Sequence, residues 1–194
     1  MHRQPLLDAL ARYRTRYLDE AAMVERVQAF VRQHPNCFDR ELQPGHVSAS
    51  AWVLNPAWSH VVMLHHRKLD RWFQPGGHAD GDPDLQHVAL RETSEETGVE
   101  QRHLRLLTEE IFDVDIHSIP AGICGARHDH FDIRYLLELD ESVPIAGNQE
   151  SYDVRWVSLQ EVRRLNNDRS VHRMIEKTQT LRRGSTAAQA SAAP

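Results

Sequence analysis

Apolar side chains recur at helical spacing over residues 5–34, first as Leu6, Leu10, Tyr13 and Tyr17, then as Met23, Val27, Phe30 and Val31, which predicts two helices. Asp19 is placed to cap the second, and His34-Pro35 ends it because a proline biases its predecessor away from the helical region. From Gly45 the pattern changes. His46 to Leu54 and Ser59 to His65 are rich in Val, Ala and Trp and are separated by Asn55-Pro56, which predicts two strands around a turn. A short strand over Arg71 to Gln74 runs into the loop Pro75-Gly76-Gly77. Asp82-Pro83 then reads as an N-cap followed by proline at the first position of a helix from about 83 to 97, and Gly98 permits the left-handed turn that closes it.

Two further runs, Ile111 to His117 and His128 to Leu139, predict strands flanking a loop with Pro120 and Gly122, and residues 154–157 suggest a final strand. Ser158 and Glu161 form a capping-box pattern, and Asp168 precedes a last helix carrying Val171, Met174, Ile175 and Thr178. The expected organisation is a helical extension over residues 1–42, a domain over 43–181 and a disordered tail over 182–194, where Ser, Thr, Ala and Gln dominate.

Alternation within the strands sorts their residues into two faces. Phe112, Val114 and Ile116 oppose Asp113, Asp115 and His117, and Phe131, Ile133 and Tyr135 oppose His130, Asp132 and Arg134. If the two strands pair, the polar face gathers His117, His128, His130 and Arg134 near acidic groups. Such a face is either a solvated surface, a site for a phosphorylated ligand, or a place for an additional metal.

Composition narrows the classes. The chain has 194 residues, room for one domain with an appendage, and carries 23 Lys plus Arg against 28 Asp plus Glu, a formal net charge of −5 that disfavours a general nucleic-acid binder. Its longest apolar runs, such as Val61 to Leu64, fall far below the roughly 18 residues that span a bilayer, and Met1 to Leu10 lacks a signal-peptide apolar block. A soluble, cytoplasmic protein without membrane association is expected. Cys37 and Cys124 are too few for a disulfide framework and are taken as reduced, and neither sits in a convincing nucleophile setting. The 13 histidines are the unusual count.

On the helix after Asp82, Glu92, Glu95 and Glu96 stand at i, i+3 and i+4 and project from one face. Like charges at that spacing repel, by about 0.2–0.5 kcal/mol per pair on an isolated helix. A solvated acidic face tolerates this repulsion; a divalent cation removes it. Hard oxygen ligands select Mg²⁺ or Mn²⁺, which commonly add substrate phosphate oxygens to a few carboxylates.

The surrounding residues favour the cation. Gly77, Arg91-Glu92, Glu95-Glu96 and Gly98-Val99 resemble, in register, the box of the Nudix hydrolase superfamily, as does the lead-in of Trp72 and Pro75-Gly76-Gly77. Two defined positions depart from the pattern: Pro83 replaces its first glutamate and Thr93 an aliphatic residue. In the family that glutamate braces the box arginine, so Asp82 or Asp84 is expected to pair with Arg91 instead, and the Thr93 methyl to pack as the aliphatic residue would.

The resemblance implies an α/β fold, the Nudix-type α/β/α sandwich with a mixed sheet, and hydrolysis of a diphosphate bond in a nucleoside diphosphate derivative with Mg²⁺ or Mn²⁺ as cofactor. It implies Glu92, Glu95 and Glu96 as metal ligands, helped by the Gly77 carbonyl and by Glu150, which precedes Arg155-Trp156-Val157 as a late acid does in the family. Arg91 would orient Glu92, and either Glu92 or Glu150 would deprotonate the attacking water. His78 and Asp80, in the loop opening the box, are candidates to line the site, as are Arg67 and Lys68 of the basic cluster after His65-His66. The expected partner is a small-molecule diphosphate; a homodimer is left open. Isopentenyl diphosphate isomerases share the fold but place a catalytic cysteine before the box, where this chain has Gln74-Pro75-Gly76-Gly77-His78. Nudix-like ligand sensors commonly lose box glutamates that persist here.

Overall fold

A computed structural model describes residues 2–122 and 126–191, with side chains described as far as Gly184, so Cys124 lies outside the described residues. In chain order the elements are helices α1 (Gln4–Arg12) and α2 (Leu18–Gln33), strands β1 (Gly45–Leu54), β2 (His60–His66), β3 (Arg71–Phe73) and β4 (Gly76–His78), helix α3 (Leu85–Thr97), strands β5 (Arg105–Leu106), β6 (Asp113–Ile119), β7 (His128–Glu138) and β8 (Ser151–Ser158), and helices α4 (Leu159–Leu165) and α5 (Arg169–Ser191). A short 3₁₀ turn, Gln101–His103, precedes β5. The backbone of α5 thus continues as helix into the segment expected to be a tail. Among the described residues no helix is long and apolar enough to cross a membrane.

β1 is buried along its whole length and runs parallel to β7, in register from Gly45↔Asp129 to Leu54↔Glu138. Its other edge pairs antiparallel with β4 over Ser48 to Ser50 and touches β2 only at the corner Leu54↔Val61, beyond which β2 lies between β3 and β8. β5 and β6 pair antiparallel with β7. The sheet is therefore mixed.

Alternation along β1 and β7 decides what each face packs. Val47, Ala49, Ala51, Val53, Phe131, Ile133, Tyr135 and Leu137 meet the helices α1, α2 and α3 on one side. Trp52, Leu54 and Leu136 meet Leu159 and Val162 of α4 and Val171, Met174 and Ile175 of α5 on the other. This is the α/β/α sandwich. The N-terminal helices are built into it: Leu6, Leu10, Val27 and Phe30 belong to the same core as β1, and Phe30 stacks on Phe131 with ring centroids 3.8 Å apart.

Several expected boundaries move. Tyr17, not Asp19, stands before α2; Asp19 lies in its first turn, and its carboxylate meets Arg173 at 2.9 Å. α3 begins at Leu85 after Pro83, because Asp84 is the cap, its side chain accepting from the His87 N–H at 3.1 Å. Gly98 closes that helix at φ 67°, a value favouring glycine. β8 begins at Ser151, ahead of residue 154.

The polar half-face beside β6 is buried rather than solvated. Arg134 donates to Asp132 and Asp115 at 2.8 Å each and to Asp113 at 3.3 Å. Arg173 donates twice to Asp113 at 2.8 Å. Lys177 reaches Asp113 at 2.7 Å and Glu20 at 2.5 Å. Burial pushes the Asp113 carboxyl up, but the hydrogen bond from Arg173 and the charges of Arg134 and Lys177 outweigh it and hold the group below its ordinary range.

These side chains also close the sheet edge. The outward N–H of Val114 donates to Glu20 at 3.0 Å, its carbonyl accepts from Arg173 at 2.9 Å, and the Phe112 carbonyl accepts from Lys177 at 2.9 Å and the Tyr13 hydroxyl at 3.0 Å. An edge left open would invite another strand. Glu20→Ala is expected to lower stability by about 3–5 kcal/mol, because it strands buried cations and a backbone donor, while Glu25→Ala on the exposed face of α2 changes it by less than about 0.5 kcal/mol. Urea unfolding midpoints at constant slope check both.

Candidate active site

Two consecutive glycines let β4 sit between β1 and α3. A Cβ on Gly76 would lie 2.2 Å from the Ser50 Cβ, and one on Gly77 would lie 2.2 Å from Glu92 Oε2, so neither position admits a side chain without displacement. Two contacts then clamp α3 to this strand, and a third within the helix aligns its arginine. The Gly76 N–H donates to Glu96 Oε2 at 2.8 Å, Arg91 Nη2 donates to the His78 carbonyl at 2.9 Å, and Arg91 Nη1 meets Glu92 Oε1 at 2.7 Å.

Arg91 contacts neither Asp82 nor Asp84, which corrects the expected substitute for the missing box glutamate. The Asp82 carboxylate instead meets His87 at 2.8 Å and accepts from the Asp84 N–H at 2.9 Å. The arginine needs no acid from that turn, since the His78 carbonyl and Glu92 already orient its fork. Thr93 is buried in the helix face, and its hydroxyl is satisfied by the Ala89 carbonyl at 2.7 Å.

Glu92, Glu95 and Glu96 converge at graded depths. The Glu92 side chain is 13% exposed and that of Glu95 58%, while Glu96 is buried. Burial raises the Glu92 carboxyl above its usual range against the pull of Arg91, with the Glu95 charge adding to the rise. Burial pushes Glu96 up to about 8; the Gly76 N–H opposes this, and the charges of Glu92, Glu150 and Glu95 reinforce it. The neighbourhood therefore holds more negative charge than Arg91 neutralises. A set of carboxylate oxygens in that condition fits a hard divalent cation such as Mg²⁺ or Mn²⁺.

The loop bearing Glu150 hangs on the end of α3. The Ala146 N–H donates to the Thr97 carbonyl at 2.8 Å, Asn148 Nδ2 to the Glu95 carbonyl at 3.2 Å, and the Glu150 N–H to Asn148 Oδ1 at 2.8 Å. The Glu150 side chain is exposed, yet close enough for its charge to act on Glu96. Arg67 secures the same loop: its N–H donates to the Glu150 carbonyl at 2.8 Å, its guanidinium donates to the Ser151 carbonyl at 3.1 Å and lies 4.9 Å from the Tyr152 ring centre. Lys68 is exposed beside it.

Other expected ligand contacts are committed elsewhere. Asp80 is paired with Arg40, whose hydrogen bond holds its carboxyl low. Arg134 does not offer its fork to a ligand, because three buried carboxylates fill it. His78, His128 and His130 do come together, around a residue the pattern did not single out, His46. The signal was present in β1, where His46, Ser48 and Ser50 alternate with Val47, Ala49 and Ala51.

The model of the NUDIX domain matches residues 44–177. A Mycobacterium tuberculosis protein provisionally named 8-oxo-dGTP diphosphatase 3 is 32% identical over 116 residues, 55% of this chain and 48% of that protein. The mouse asymmetrical bis(5'-nucleosyl)-tetraphosphatase is 35% identical over 100 residues, 50% of this chain and 59% of that protein. The chain thus spans about half the length of the curated relatives it matches. The crystal structure of a C. elegans Ap4A hydrolase binary complex superposes with a TM-score of 0.59 at 18% identity, over 71% of this chain and 98% of that one, a likeness of fold.

Gly77→Ala should drive Glu92 out of place and weaken Mn²⁺ binding by about 10–100-fold, the range seen when a ligand loses its support. Calorimetric titration of the folded variant against Mn²⁺ checks this; unchanged affinity would detach Glu92 from the metal.

Proposed function

Because the chain belongs to the NUDIX family, we propose that it is a hydrolase dependent on Mg²⁺ or Mn²⁺, cleaving a diphosphate bond in a nucleoside diphosphate derivative. The observation that carries this reading is the Glu92, Glu95 and Glu96 cluster, pressed by β4 into a partly buried position where one arginine is too little countercharge. Names of the two curated relatives, a diphosphatase and a tetraphosphatase acting on nucleotides, support a substrate with a phosphoanhydride chain.

Glu92, Glu95 and Glu96 would hold the cation, with the Gly77 carbonyl as a further oxygen. A bound divalent ion supplies polarisation of the phosphoryl oxygens and a lowered pKa for water near it. Arg91 fixes Glu92 Oε1, so Glu92 acts as an oriented ligand. Glu150, exposed at the loop, takes the proton from the attacking water. Lys68, exposed beside the Glu150 loop, binds the rest of the substrate; His78, His128 and His130 gather on the other side of β4 and take no part in it.

An isomerase of the related type needs a reactive cysteine. Among the described residues the cysteine is Cys37, which is buried, and burial pushes its thiol up to about 11, the setting of an inert packing residue. Retention of all three helix glutamates supports catalysis over ligand sensing.

A panel of nucleoside triphosphates, dinucleoside polyphosphates and nucleotide sugars, assayed by chromatography with Mg²⁺ or Mn²⁺, tests the reading. Glu95→Gln and Glu96→Gln should each cut turnover by orders of magnitude and abolish the rise in melting temperature that Mg²⁺ gives the wild type, since a neutral amide is a poor ligand for a hard cation. Glu150→Gln should lower kcat by about 10²–10⁴-fold with metal affinity little changed, as loss of a general base does. Absence of any hydrolysed product across the panel would sink the proposal.

A further inference from the structure

Five histidines crowd one end of the polar sheet face. His46 on β1 stands opposite His130 on β7, which stands opposite His117 on β6, while His78 enters from β4 opposite Ser48. Ring centres of His46 and His130 are 4.8 Å apart, and those of His78 lie 5.0 Å from each. One imidazole nitrogen from each of these three residues lies within 4.8 Å of the other two.

The arrangement is poorly satisfied as it stands. His46 is 1% exposed, and neither Nδ1 nor Nε2 makes a hydrogen bond of good geometry, the Leu42 backbone being the one polar group that acts on the ring as an acceptor. A neutral imidazole carries one donor and one acceptor, and leaving a buried polar group unmade costs about 1–3 kcal/mol. Elsewhere on the same face the charges are matched, as around Arg134. Protonation does not relieve the crowding: burial, then repulsion from neighbouring histidines, lowers His46 to about 4 and His130 to about 2. His78 is lowered as well, by burial first and then by Arg40. Neutral imidazoles gathered this closely are the form a metal requires.

We propose that His46, His78 and His130 form a second metal site, taking a borderline transition ion of the Zn²⁺ class, distinct from the carboxylate cluster on α3. The donor chemistry sets the preference, because imidazole suits Zn²⁺, Ni²⁺ and Cu²⁺ while carboxylate and water suit Mg²⁺. Tetrahedral Zn²⁺ with bonds of about 2.0–2.1 Å places its nitrogen ligands about 3.4 Å apart, so small ring rotations close the set. His128 stands alongside: its Nδ1 lies 2.8 Å from the Ala126 carbonyl, which fixes the proton there, and its Nε2 is 3.3 Å from His130 Nε2. Three imidazoles leave a fourth position open to water or an anionic oxygen. The site does not depend on the hydrolase reading.

The test titrates the metal-stripped full chain with Zn²⁺ by calorimetry in excess Mg²⁺, and with Co²⁺ for the visible band of tetrahedral coordination. A single equivalent of Zn²⁺ is expected in the wild type and in the Glu95→Gln, Glu96→Gln double variant, with affinity reduced about tenfold or more in His46→Gln and His130→Asn. Should those buried substitutions fail to fold by circular dichroism, His78→Gln, at a partly exposed position, gives the same readout. No uptake in excess Mg²⁺, equal affinity in the folded histidine variants, or loss of Zn²⁺ in the glutamate double variant would each overturn the site.

Discussion

An ionised side chain taken out of water must meet an opposite charge, and this chain buries Glu20, Asp113, Asp132, Arg134 and Arg173 almost completely. Their partners come from different elements: Glu20 from α2, Asp113 from β6, Arg134 from β7, Arg173 and Lys177 from α5. None of these elements can slide without stranding a charge in the interior. Because Glu20, Arg173 and Lys177 also hold the free backbone at Val114 of β6 and at Phe112 just ahead of it, the charge network also ends the sheet. The N-terminal helices are thus part of what makes the sheet finite.

That constraint shapes the rest of the polar face. Asp113, Asp115 and Asp132 occupy Arg134 from three sides, so the ionic end is closed to ligands. The histidine end has no comparable countercharge and stays chemically open. On the opposite side of β4, α3 is set by contact with glycine backbone. Gly77 against Glu92 and the Gly76 N–H on Glu96 place two carboxylates at fixed depth.

Features encoded within a few residues were legible in the sequence. The i, i+3, i+4 spacing of Glu92, Glu95 and Glu96 puts them on one face of any helix, and Gly98 marks its end whatever surrounds it. Strand alternation separated Val114 and Ile133 from Asp113 and Arg134 correctly, but Phe112, expected on the Val114 face, packs with Trp52 and Leu136 in the other core, because it lies ahead of β6 and outside its alternation. Features that depend on register between distant segments were not legible. The fate of Arg134 is set by Arg173 and α5, which neutralise Asp113 and cover the face; a strand pattern alone cannot distinguish a covered polar face from a wet one. Arg91 was given the wrong partner because the His78 carbonyl reaches it through the pairing of β4 with β1, and a backbone acceptor leaves no mark in residue identity. His46 went unremarked because its neighbours His78 and His130 arrive by cross-strand pairing.

The pleat of β4 relates the two candidate cation sites. Successive residues of a strand face opposite sides of the sheet, so Gly77 turns towards Glu92 on the helix side while His78 turns towards His46 and His130. Oxygen donors lie on one side of this short strand and nitrogen donors on the other. A hard ion gains little from neutral imidazoles, and a borderline ion gains most from them, so the two sets sort cations by chemistry without needing to be far apart. The link between them is mechanical: the His78 carbonyl holds Arg91, and Arg91 holds Glu92.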